Sequence, residues 1–222
     1  SKKGYTVGLL DSDIHGPSIP KILGIEDKKP QSTQNSINPV LVSPKLKVMS
    51  MGFLLQDKDS PVIWRGPLKM AAIKQFIGEF NWGDLDYLIV DLPPGTGDEP
   101  LTIAQIISDA KAIIVTTPQE VSLADVRKSI NFCKTVKMEI FGLIENMSGF
   151  SCPHCGEMIE LFGTGGGEKT ANQMGVRFLG RIPFDPKLVV CGDSGVCYQE
   201  SHRDSAVTKA FTDVAETMSK LV

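Results

Sequence analysis

No stretch of these 222 residues approaches the ~20 consecutive apolar residues of a membrane-spanning helix, and no signal peptide is visible. Basic charge is not in excess: 23 Lys and Arg stand against 26 Asp and Glu, a net charge of −3. A dedicated nucleic-acid binder needs a basic surplus to displace counterions, so neither nucleic acid nor membrane is expected as a partner. Cysteine is scarce, with an odd count of five, which favours a reducing, cytoplasmic setting over a disulfide framework. There is no initiator Met either. The chain opens Ser1-Lys2-Lys3-Gly4, like the end of a helix running into a strand, and a segment upstream is expected.

What is present reads as one large α/β domain. Hydrophobic residues make up 41% and charged residues 22%, ordinary values for a soluble globule of this length. Tyr5–Leu10 is a short apolar run ending in Asp11, and Tyr87–Val90 ends likewise in Asp91. Ala112–Val115 runs into Thr116-Thr117-Pro118, and Ile140–Ile144 into Glu145-Asn146. Continuous apolar runs suit strands covered on both faces. Between them, Leu123, Val126, Ile130, Cys133 and Val136 recur at helical steps, with Ser122 as N-cap and Asp125 three residues on. Val207, Ala210, Phe211, Val214, Met218 and Leu221 make a closing helix. The alternation predicts a doubly wound, mostly parallel sheet in a single domain over 1–222. Residues 28–38 are polar and turn-rich and read as an exposed excursion.

In such sheets, function collects at the carboxyl ends of the strands. Here those ends are acidic and glycine-rich: Asp11-Ser12-Asp13-Ile14-His15-Gly16 after one strand, Asp91-Leu92-Pro93-Pro94-Gly95-Thr96-Gly97-Asp98 after another. An Asp closing a buried strand looks like a Walker B residue, which holds magnesium through its water shell. A lone Asp there is more often a turn or cap former. Two such ends, each with a second Asp and Gly or Pro, favour a nucleotide site. Gly163-Thr164-Gly165-Gly166-Gly167-Glu168-Lys169-Thr170 almost spells the phosphate loop GxxxxGK[ST], but Glu168 stands where its last Gly belongs. A carboxylate there would oppose phosphate, and no long buried strand precedes it, so it reads as a loop capping a helix.

Cys152-Pro153-His154-Cys155 lies in a loop at 150–157. Two thiols can grip one metal ion or one edge of an iron–sulfur cluster but cannot complete four thiolate ligands. Cys133, Cys191 and Cys197 are not spaced as a second pair, so the half-site invites a second copy across a two-fold axis. A redox pair, or two unremarkable surface thiols, are the other readings.

These segments resemble the Mrp/ApbC family of P-loop iron–sulfur cluster carrier ATPases, relatives of MinD, ParA and the nitrogenase iron protein. The matching stretches are VGLLDSDIHGPSIP (Val7–Pro20), MSMGFLL (Met49–Leu55), VIWRGPLK (Val62–Lys69) and DYLIVDLPPGTGDEPLT (Asp86–Thr102). They continue with TTPQEVSLADVRKSINF (Thr116–Phe132), IENMSGFSCPHCGE (Ile144–Glu157), FGTGGGE (Phe162–Glu168) and LGRIPFDP (Leu179–Pro186). The resemblance implies a deviant phosphate loop, KGGxGK[ST], which these residues do not contain, as if the chain began just after it. It implies that Asp11 helps arrange Mg2+, that Asp13 orients the attacking water, and that Asp91 is the Walker B aspartate. Gly95 and Asp98 fall in the γ-phosphate sensor, Asn146 reads the adenine edge, and Pro183 and Asp185 flank base and ribose. Lys69 and Arg65 would face phosphate, a partner or solvent. Cys152 and Cys155 become the metal ligands; His15 and His154 are not taken as ligands, and Cys133 reads as core. The implied function is a homodimer holding a 4Fe–4S cluster, or zinc in aerobic preparations, and passing it to apoproteins with slow ATP hydrolysis. A MinD- or ParA-like positioning ATPase and an electron-transfer iron–sulfur ATPase are the alternatives.

Overall fold

The computed structural model describes residues 1–32, 36–55, 64, 66–152 and 154–221. Arg65 and Pro153 therefore lie outside the described residues, as does most of VIWR. The chain forms two compact units, Ser1–Ile106 with Gly192–Val196, and Ile107–Cys191 with Cys197–Val222.

The first unit contains β1 (Val7–Asp11), α1 (Ile19–Ile22), β2 (Gln31–Ser32), β3 (Ile37–Asn38), β4 (Val40–Ser43), β5 (Leu46–Ser50), α2 (Gly66–Gly78), β6 (Tyr87–Asp91) and α3 (Asp98–Ile106). Its sheet runs β4-β5-β1-β6. β1 pairs in parallel with β5 and β6, and β4 joins antiparallel at the edge. Burial explains the order: Leu10 on β1 and Val48 and Met49 on β5 are fully buried, and Ile73 and Phe76 on α2 belong to the same unit's core. β5 escaped the apolar-run reading because Lys47 interrupts Leu46-Lys47-Val48-Met49-Ser50, yet it is a sheet neighbour of β1. The polar stretch at 28–38 contains a small antiparallel pair, β2 with β3.

The second unit contains β7 (Lys111–Thr116), α4 (Glu120–Thr135), β8 (Glu139–Glu145), β9 (Phe150–Ser151), β10 (Met158–Ile159), α5 (Gly166–Met174), β11 (Phe178–Arg181), most of α6 (Pro186–Ser194, from Gly192 onward part of the first unit), α7 (Tyr198–Ser201) and α8 (Ala206–Ser219). β8 is the middle of an all-parallel sheet, β11-β8-β7. Ile114, Val126, Ile130, Leu143, Ala171 and Val176 form one core cluster. Ile182, Cys191, Tyr198, Val207 and Val214 form another beneath α8.

One local expectation is corrected. The N-cap of α4 is Gln119, not Ser122, which lies inside the helix with its Oγ 2.7 Å from Thr117 Oγ1. At α8 the cap is Ser205, its side chain accepting the Thr208 N–H at 3.0 Å. Cys133 is buried on α4 and burial pushes its thiol upward, as befits a core residue.

Candidate functional site

The register of the first sheet brings the acidic strand ends together: Asp11 lies opposite Ser50 on one side and Asp91 on the other. Asp11 is fully buried. Its Oδ2 accepts the Ser50 hydroxyl at 2.9 Å and the Ile19 N–H at 3.3 Å, and its Oδ1 accepts the Asp13 N–H at 3.2 Å. These bonds do not offset burial, which raises its pKa from 3.8 to about 6, helped slightly by the negative charge of Asp91. Asp91, at an exposed strand end, is raised by partial desolvation and by the charge of Asp13. Ser12 is fully buried, and its Oγ has no hydrogen-bond partner among the described residues. Carboxylates held at a cost beside an unpartnered hydroxyl fit a hard cation with its water shell. Asp13 Oδ1 accepts the Gly16 N–H at 3.0 Å, closing the turn after β1.

Gly95, with φ +103, lies on the exposed loop between β6 and α3, and Asp98, also exposed, is the first residue of α3. A Cβ at Gly66 would fall 2.4 Å from Asp98 Oδ2, so a larger residue at the start of α2 would displace that carboxylate. The next residue, Glu99, is buried and takes Lys69 Nζ of α2 at 2.6 Å. Burial pushes the Glu99 carboxyl upward, but the Lys69 hydrogen bond and charge hold it below the usual range. Lys69 is thus engaged inside the protein rather than solvated, in a pair that no local sequence pattern marks because its partners are 30 positions apart.

The second unit carries the remaining candidates. Asn146 follows β8, its N–H donating to Thr116 O at 2.7 Å and its Oδ1 accepting the Met147 N–H at 2.9 Å. Pro183 and Asp185 follow β11. Asp185 Oδ1 accepts the Lys187 N–H at 2.9 Å, opening α6, and Oδ2 accepts the Tyr198 hydroxyl at 2.5 Å. Both Asp185 oxygens therefore already serve the fold.

Cys152 and Cys155 sit at the tip of the β9–β10 hairpin, closed by Cys152 N–H to Glu157 O and Gly156 N–H to Cys152 O, each 2.9 Å. The backbone N–H groups of Cys155 and His154 pull the Cys152 thiol below its ordinary range, and the Cys155 thiol adds to this. Cys155 is exposed, as are Met158 and Leu161 on the following segment. Among the described residues no group of three or more His, Cys, Asp or Glu is disposed to hold a metal ion.

The loop that imitates a phosphate cradle has its own anion. Glu145, fully buried at the end of β8, accepts the N–H groups of Gly165 at 2.9 Å and Gly167 at 2.5 Å. A Cβ at Gly167 would meet that carboxylate at 3.0 Å. The signal that singled out Asp11 and Asp91, an acid closing a buried strand, also marked Glu145, but the adjacent Asn146 drew the attention.

The ParA family model, described as NUBPL iron-transfer P-loop NTPase, matches residues 1–219. The chain belongs to this family. An iron–sulfur cluster carrier protein of Methanocaldococcus jannaschii is 54% identical over 194 residues, covering 87% of this chain and 67% of that protein. The carrier protein of Saccharolobus solfataricus is 48% identical over 99% of this chain and 74% of its own length. A cytosolic Fe-S cluster assembly factor, the NUBP2 homolog of Dictyostelium discoideum, is 48% identical over 95% of this chain and 82% of its own. Among solved structures, a nucleotide-binding protein from Archaeoglobus fulgidus in complex with ADP aligns with a TM-score of 0.75 at 42% identity, covering 87% of this chain and 75% of that one. MinD of Aquifex aeolicus, with a TM-score of 0.67 at 20% identity over 99% of this chain and 86% of its own, shares the P-loop α/β fold. Among the described residues, no helix is long and apolar enough to cross a membrane.

Proposed function

We propose that this member of the family carries a 4Fe–4S cluster between the Cys152/Cys155 hairpins of two copies and delivers it to apoproteins in the cytoplasm. The observation behind this reading is the hairpin tip: two thiols, one activated by backbone N–H groups, with no third ligand nearby among the described residues. A cluster wants four thiolates, which a two-fold axis supplies from two chains. The named functions of the carrier and assembly-factor relatives point the same way.

ATP and Mg2+ are the proposed cofactors. Asp11 and Asp91 would hold the cation, which neutralises phosphate charge when bound. Asp13 orients the attacking water, Gly95 and Asp98 sense the γ-phosphate, and Asn146, Pro183 and Asp185 border the base and ribose. The ADP complex of the Archaeoglobus relative supports the nucleotide reading. Slow hydrolysis further requires the family's phosphate-loop lysines, which do not occur among these 222 residues.

The test is anaerobic reconstitution of the full-length protein with iron and sulfide, counting iron per monomer against mass from light scattering. One cluster per dimer is expected, lost in Cys152→Ala or Cys155→Ala and kept in Cys191→Ala. A four-iron cluster on a monomer, or on the Cys152→Ala/Cys155→Ala double variant, would rule out bridging; zinc as the only metal retained anaerobically would make the pair structural.

A further inference from the structure

The cysteine hairpin is tied at both ends to the strand ends that carry Asn146, Pro183 and Asp185. At its entry, Ser148 N–H donates to Ile182 O at 3.0 Å and Phe184 N–H donates to Gly149 O at 2.8 Å. Phe150 meets the Phe184 ring edge-on at 5.8 Å between centroids. At its exit, Phe162 meets the same ring at 6.4 Å, and the glycine loop that follows is held by Glu145. That carboxylate also accepts the Ser148 hydroxyl at 2.5 Å, and Arg181 Nε of β11 lies 3.5 Å away. One fully buried acid thus binds the entry segment, the exit loop, and the strand on either side of the base-loop candidates.

The arrangement copies phosphate binding with an internal ligand. Backbone N–H groups at a helix start attract an anion, and here the protein supplies its own. A two-residue strand pair has little stability by itself, so the hairpin's position is decided where it is anchored.

We propose that Glu145 is a positioning residue for the cysteine pair: its carboxylate latches the glycine loop to β8, and with Phe184 it makes the hairpin follow the strand ends beside Asn146 and Asp185. Its nucleotide-dependent part rests on the function proposed above, in which those ends border the base. Occupation of the base side then restrains the thiols without touching them, and by reciprocity a filled cysteine site restrains the base side.

The test is amide hydrogen exchange in the full-length, metal-free, reduced protein, following the peptide across 150–159, with ADP as the nucleotide probe. In Glu145→Gln the side chain turns an N–H2 donor toward donors that need an acceptor. Hairpin exchange should then quicken roughly tenfold or more under conditions where the second unit stays folded, and by a larger factor than exchange of the β7 and β8 core amides. Phe184→Leu, which retains the backbone bond to Gly149, should quicken the same peptide, and it decides the question if Glu145→Gln does not fold. Glu139→Gln, an exposed acid at the far end of β8, should match the parent. ADP should slow hairpin exchange in the parent but leave it unchanged in Glu145→Gln, with ADP still bound. Parent-like hairpin exchange in folded Glu145→Gln or Phe184→Leu, or an undiminished ADP response in Glu145→Gln, overturns the latch. ADP failing to bind the parent sinks the nucleotide reading of Asn146 and Asp185, while the hairpin rates still decide the latch.

Discussion

Asp11 and Glu145 are both fully buried carboxylates at the carboxyl ends of central parallel strands, yet their surroundings differ. Glu145 accepts two short backbone N–H bonds and one hydroxyl, with the Arg181 guanidinium 3.5 Å away. Asp11 has one hydroxyl at 2.9 Å and two N–H contacts at 3.2 and 3.3 Å, and its neighbour across the sheet is another acid. The first carboxylate is finished by the fold. The second is left partly unsatisfied, and burial raises its pKa to about 6. A buried acid completed by donors holds structure together, whereas one kept at a cost is suited to a cation.

The largest expected effect comes from removing the finished acid. Glu145→Ala orphans the Gly165 and Gly167 N–H groups and should destabilise the second unit by about 4 kcal/mol, measured by urea denaturation. A loss below about 1 kcal/mol would erase the contrast. Next is Lys69→Met, which leaves Glu99 buried without its cation and should cost about 3 kcal/mol. Because Lys69 holds the Glu99 pKa below its ordinary value, the pair's contribution is present above about pH 4.5 and fades as pH falls through the lowered value.

Asp11 has the opposite sign. Below about pH 4 it is protonated in both folded and unfolded chains; between there and about pH 6 only the folded chain keeps the proton. Stability without metal should therefore fall as pH rises through that window, by at most about 3 kcal/mol, and Asp11→Asn should flatten this slope in thermal melts. An unchanged slope would mean that Asp11 is as well satisfied as Glu145. Smallest is the exposed control: Arg127→Ala removes the partner of Glu120, whose side chain is 76% exposed, and should shift stability by no more than about 0.5 kcal/mol.

Reading strands by continuous apolar runs located β1, β6, β7 and β8, although Ile89 of β6 and Ile113 and Val115 of β7 are exposed rather than covered, and it failed where lysine interrupts β5. Acids ending those strands were equally visible, so Asp11, Asp13 and Asp91 were found together and the register set Asp11 beside Asp91. Lys69–Glu99 was not legible, because two residues 30 positions apart meet only after α2 and α3 pack. The helix start at Gln119 was hidden because Ser122 supplied a conventional capping side chain one turn too late.

The sequence by itself determined the chemistry available: carboxylates and glycines at strand ends, two thiols on a tight turn, and an α/β alternation that sends those ends to one edge of each sheet. Local spacing and side-chain type suffice for that. Tertiary structure alone decided which acid is spent and which is left in want. Whether a buried carboxylate is satisfied depends on N–H groups brought from distant loops, as Gly165 and Gly167 are brought to Glu145, and no local pattern encodes that meeting.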